Sequence, residues 1–134
     1  MKRQMTLLLI GAAFVILLAS VSFFIYVKRL HRSMSYFQTV GQYVQQGKLD
    51  EAISLLKDTL RKNHYNAEAH AALGMIYHKK ELLDDALAEL KTALTMKPDL
   101  INIYQEMYLI YKKKGMEDEA NRALDSYERL KGSK

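Results

Sequence analysis

Tyr43, Tyr77 and Tyr111 are separated by 34 residues, and so are Ala52, Ala86 and Ala120, and Leu56, Leu90 and Leu124. An aromatic or imidazole residue keeps the same period at Tyr36, His70 and Tyr104. A period in the 20 to 50 range means one supersecondary unit used several times, so the fold must be a stack of similar modules. Within each period the apolar residues fall three and four apart, the spacing of an amphipathic helix. Halfway along, Gly47 and Gly115 mark turns in the first and third units, while Glu81 stands in the second. After each turn come carboxylates ahead of the alanine, in "LDEAI", "LDDAL" and "MEDEA". Acidic groups in the first turn of a helix are favoured by its unpaired amides and dipole. The chain is expected to be all-α, with three helix pairs over 33–66, 67–100 and 101–134.

Gly74 is placed oddly for such a fold, because glycine in a helix interior costs roughly 1 kcal/mol relative to alanine. The spacing predicts helices over about 67–80 and 83–96. A glycine on the first and Ala86 on the second would let the two backbones approach closely, with Tyr77 covering the crossing. Pro98 then ends the second helix, because it has no amide hydrogen to donate.

Ahead of the repeats, residues 5–27 form a run of 23 positions without a charge. As a helix this run is about 34 Å long, enough for a hydrocarbon core of roughly 30 Å. Its length exceeds the apolar region of a cleaved signal peptide, and Phe23 to Val27 leave no polar cleavage region. The expectation is a single-pass transmembrane helix, with a short basic tail at 1–4 and a basic juxtamembrane segment at 28–32. The absence of cysteine excludes a lipid-modified cysteine anchor.

The chain carries 20 Lys plus Arg and 15 Asp plus Glu. Lys2, Arg3, Lys28, Arg29 and Arg32 flank the apolar run, and from residue 33 onward the two signs balance. The excess of positive charge therefore belongs to headgroup anchoring and gives no support to a nucleic-acid surface. The flanks are nearly balanced by the positive-inside criterion, so the side of the membrane carrying the repeats stays open.

The repeating residues resemble the tetratricopeptide repeat, whose 34-residue consensus places a bulky residue, Leu-Gly, Tyr, Ala, Leu or Phe, Ala and Pro along a helix-turn-helix. The middle unit carries His70, Leu73, Gly74, Tyr77, Ala86, Leu90, Ala93 and Pro98 at those places. The first unit has Thr39-Val40 for Leu-Gly and His64 for the proline. The third has Met107-Tyr108 and Gly132. The resemblance implies a three-repeat α-solenoid of six antiparallel helices that binds another protein. With the anchor, it implies an adaptor or assembly factor of the kind found on bacterial cytoplasmic membranes. The alternative is a small permanent subunit or a homo-oligomeric scaffold.

Nothing in the sequence points to catalysis, a metal or a cofactor. His70 and His78 are eight apart on one helix, too far for a zinc-binding pair one turn apart. Their simpler readings are a packing residue and an exposed helix surface. The glycines are scattered singly, without a phosphate-cradling loop. The carboxylate clamp of co-chaperone tetratricopeptide domains is missing, since the matching positions hold Phe37, Gly41, Ala72, Asn102 and Glu106.

Binding therefore falls to the face made by the first helices of the pairs, which in solenoids lines an extended surface. Spacing assigns Phe37, Val44, Met75, His78, Lys79, Gln105, Leu109 and Lys112 to a partner-binding groove of mixed lining, with an apolar end near the membrane, Met75 in the middle and basic groups, Lys113 among them, at the rims. Such a groove suits an amphipathic or acidic segment of a membrane protein or complex subunit. At the other end Leu124, Tyr127 and Leu130 form a candidate terminal interface, for self-association or docking, because no further helix follows to cover them.

Overall fold

The computed structural model describes residues 2–133, and side chains within that range except those at 2–3, 6, 8 and 29–35. The side chains of Lys2, Arg3, Arg29 and Arg32, assigned above from sequence, fall outside the described residues. So does that of Met34. Six helices and no strand are present among the described residues: α1 (Lys2–Gln45), α2 (Leu49–Lys62), α3 (Ala67–Lys79), α4 (Leu83–Met96), α5 (Ile101–Lys113) and α6 (Glu117–Gly132). The chain divides into two units, one ending at Thr39 and the other beginning at Val40.

In the first unit the stretch Leu9–Lys28 has a mean hydropathy of 2.5 and is long enough to cross a membrane. Its apolar side chains are exposed, Phe23 and Phe24 among them. Ser20 donates its hydroxyl to the Leu17 carbonyl at 2.8 Å, so this polar group is satisfied within the helix, as an apolar solvent requires.

The second unit is a series of helix hairpins. At each hairpin turn the chain closes with the same two backbone bonds. Lys48, Leu82 and Met116 donate to the carbonyls of Tyr43, Tyr77 and Tyr111, and Gly47, Glu81 and Gly115 donate to those of Val44, His78 and Lys112. This Schellman arrangement needs a left-handed residue at the turn. Gly47 and Gly115 adopt φ of 72° and 71°, and Glu81 is forced to 62°. The geometry of the turn is thus set by the repeat even where the residue type is wrong for it. Left-handed backbone costs an L-residue roughly 1–2 kcal/mol. Glu81→Gly is therefore expected to raise the midpoint of thermal unfolding by about 3 °C, followed by circular dichroism on the full chain in detergent; a lowered midpoint would show that the turn is not strained.

The remaining boundaries follow from local chemistry. Asn66 caps α3, its side chain accepting from the Ala69 amide at 3.0 Å. Pro98 stops α4 two residues earlier, with Lys97 already extended. The Pro98 carbonyl is not wasted, since it accepts the Tyr104 hydroxyl at 3.0 Å.

Helix α3 packs closely on α4, and α5 on α6. A β-carbon built on Gly74 would lie 2.7 Å from Leu90 Cγ and 3.0 Å from the Ala86 carbonyl oxygen. The close approach expected from sequence is therefore present, although the Leu90 side chain and not the Ala86 methyl fills the space. One apolar cluster joins α4, α5 and α6 through Leu87, Leu90, Ala93, Ile103, Met107, Ile110, Tyr111 and Ala120. Neighbouring repeats thus share a core that neither could complete alone.

Candidate partner-binding face

Three kinds of link hold successive repeats in register, and they define which surface is left open. Lys80, at the end of α3, pairs with Asp50 in the first turn of α2, and Lys114 after α5 pairs with Asp84 in the first turn of α4. Both links span the same sequence distance, one repeat apart. The ammonium of Lys57 lies 5.9 Å from the centre of the Tyr77 ring, and that of Lys91 lies 5.9 Å from the Tyr111 ring. Contact with the Tyr77 hydroxyl raises the Lys57 pKa above its ordinary value. The third link is His78 Nδ1 at 2.7 Å from Glu106 Oε1, which bridges α3 directly to α5.

With α3 and α5 side by side, their shared open face carries Met75 and Leu109, which are 47% and 46% exposed. The two are one repeat apart, so each helix offers one large apolar group at the same level. Gly41 holds the matching position in the first repeat. Gln105 is exposed beside them, and Val44 is half-buried. Phe37 belongs to the first unit, where it lies edge-on to Tyr36 with ring centres 5.0 Å apart.

Two sequence readings change here. His78 is not an exposed surface group: its side chain is 20% exposed and committed to Glu106. The basic rim is also weaker than charge counting suggests. Lys112 is held by both oxygens of Glu117 at 2.8 and 2.9 Å, and this carboxylate raises its pKa. Lys113 pairs with Glu81, whose carboxyl is held below the usual range by that contact. Lys79 stays exposed and, among the described residues, free of an ion pair. The rim thus loses two of its three free cations, Lys112 to the first turn of α6 and Lys113 to the turn residue Glu81, and keeps Lys79.

The packing reading of His70 has a physical form. Its ring nitrogens lie 2.6 Å from Glu89 Oε2 and 3.2 Å from the His64 carbonyl, so protein groups occupy both. Glu89 and Glu106, the partners of the two histidines, had no signal in the sequence. Within the same repeat, Lys97 pairs with Glu68, which lowers the Glu68 pKa and raises that of Lys97.

The candidate terminal interface is narrower than expected. Leu124 is 37% exposed, while Tyr127 and Leu130 are half-buried, with Lys131 lying 5.5 Å from the centre of the Tyr127 ring. The positions filled by Leu83, Leu87 and Leu94 on α4 are Glu117, Asn121 and Glu128 on α6. The final helix has exchanged most of its stacking surface for polar groups.

Residues 42–101 match the tetratricopeptide repeat family model. No curated protein sequence matches the chain. Among solved structures, a crystal structure of MamA superposes with a TM-score of 0.69 at 24% identity, over 73% of this chain and 57% of that one. A second MamA crystal structure gives 0.66 at 25% identity, over 72% and 53%. The present chain thus spans little more than half the length of these MamA chains. PcrH, solved in complex with the chaperone binding region of PopD, gives 0.70 at 19% identity, over 75% of each chain. The matched segment contains the whole middle repeat with Gly74, Leu90 and Pro98, and the same hairpin geometry recurs on either side of it; residues 42–101 are a tetratricopeptide repeat segment.

Proposed function

We propose that this protein is a membrane-anchored adaptor or assembly factor, held by the apolar stretch of α1, that lays a helix or extended segment of a membrane-complex subunit across α3 and α5. The observation that carries this reading is the pair Met75 and Leu109, nearly half exposed at equivalent places on neighbouring helices. Apolar anchors repeated at a fixed interval match the way an amphipathic segment presents its own apolar residues. The similarly folded PcrH was solved with a segment of another protein bound, which supports a polypeptide as ligand. With Lys112 and Lys113 already paired, an apolar contact flanked by Gln105 and Lys79 sets the preference, and negative charge on the partner adds little.

The alternative, an end-to-end scaffold, is disfavoured by the ends of the stack. Gln42 is exposed on α1 at the position where Ile76 and Ile110 are buried in later repeats. Glu117, Asn121 and Glu128 make the matching face of α6 polar too, so neither face offers the apolar surface that end-to-end stacking would bury. The full chain in detergent is expected to scatter light as a monomer, and an affinity-tagged chain solubilised from its native membrane to retain a protein that Met75→Asp with Leu109→Asp loses at unchanged helicity. Concentration-dependent multimers, or equal retention by the variant, would defeat the adaptor reading.

A further inference from the structure

The polar end of the stack has one more property: its charge is largely of one sign. On α6, the surface matching the part of α4 that receives α5 carries Asp118, Asp125 and Glu128 around Leu124, with Lys131 beside them and Glu117 already held by Lys112. Asp118 stands where Asp50 and Asp84 each take a lysine from the helix that follows. Among the described residues, Asp118 has no such partner. Asp125 stands where Lys57 and Lys91 contact the tyrosine of the following helix, so a position that is basic at both internal interfaces is acidic at the free one. A merely solubilising end would gain as much from mixed charges. This one keeps the acceptor half of the internal link, reverses a second position, and retains a leucine at the centre.

We propose that the exposed face of α6 docks an amphipathic helix ending in lysines, supplied by a different protein. Such a helix would lie where a fourth repeat would begin, its lysine at Asp118 as Lys80 sits at Asp50 and Lys114 at Asp84. Its apolar side would cover Leu124 and the Tyr127 ring. A second copy of this chain does not fit, because the position of Lys80 and Lys114 is Gln46 in the first repeat, which brings no charge to Asp118. The proposal rests on the stacking register and is independent of the groove between α3 and α5.

A suitable probe is a fluorescein-labelled peptide of residues 101–114 of this chain, the helix that occupies the equivalent face of α4 and carries Lys112, Lys113 and Lys114. Fluorescence anisotropy is read against the full chain in nanodiscs of zwitterionic lipid, with empty nanodiscs as the blank. Saturable binding is expected, weakened roughly fivefold by Asp118→Lys, which sets a second cation against the peptide's Lys114. The milder Asp118→Asn, chosen to leave the helix start intact, is expected to weaken binding about threefold at unchanged helicity. Changing the peptide's Lys114 to Glu is expected to weaken binding to a similar degree. Met75→Asp is expected to leave affinity unchanged, which separates this face from the groove. The proposal is overturned if binding does not exceed the blank, if the charge variants bind equally well, or if Met75→Asp abolishes binding.

Discussion

Replacing Gly74 with leucine is expected to lower the midpoint of thermal unfolding of the repeats by roughly 10 °C or more, at the upper end of what overpacking does to a domain of this size. Even the first added atom has nowhere to go. A β-carbon there meets Leu90 Cγ at 2.7 Å and Cδ2 at 2.8 Å, and the Ala86 carbonyl oxygen at 3.0 Å. Leu90 is fully buried and cannot swing toward solvent, and the carbonyl belongs to the backbone of α4. The gain of about 1 kcal/mol in helix propensity on leaving glycine is too small to offset a displaced helix. Circular dichroism of the full chain in detergent reads the result. An unchanged melting curve would mean that α3 and α4 do not approach as described.

The second large effect comes from emptying the same place. Leu90→Ala is expected to cost about 3 kcal/mol, within the range for removing a fully buried leucine that its surroundings cannot collapse onto. Leu90 sits between the α3–α4 contact and the cluster shared with α5, so the loss should weaken the docking of repeat three as well as the middle hairpin. The two sites should also be coupled. Gly74→Ala, harmful alone, is expected to be nearly neutral or stabilising once Leu90 is alanine, because the new methyl enters vacated space. Residues in direct contact show such coupling, on the order of 0.5–3 kcal/mol. Strict additivity in chemical denaturation would contradict the assigned contact.

Much of this packing was legible in the sequence, since a 34-residue period and a helical apolar pattern leave little freedom. The predicted helices at 67–80 and 83–96 differ from α3 and α4 by one residue at a single end. Glycine at two of three equivalent turns marks where the helices turn, while the left-handed backbone there shows only in the structure, and Glu81 shows that the motif outweighs the preference of the residue filling it. The exposed apolar pair Met75 and Leu109 could also be placed, because helical spacing decides which face a residue occupies. What could not be read was pairing between helices. The His78–Glu106 bridge, the capture of Lys112 by Glu117, and the Lys80–Asp50 and Lys114–Asp84 links depend on how far one repeat is rotated against the next. That rotation is set by packing, and no local spacing encodes it. For the same reason counting lysines makes the rim more basic than it is, since Lys112 and Lys113 are paired and Lys79 alone of the three is, among the described residues, free of an ion pair.

The function assigned to the α3–α5 face requires that another polypeptide lie on it. A photo-crosslinking amino acid placed singly at Met75, at Leu109 and, as a control on exposed α4 surface, at Ala88 measures this in the native membrane with the full chain. The expected result is one and the same adduct from the first two positions and none from the third. Absence of an adduct at Met75 and Leu109, or equal yields at all three positions, would contradict the function assigned to this face.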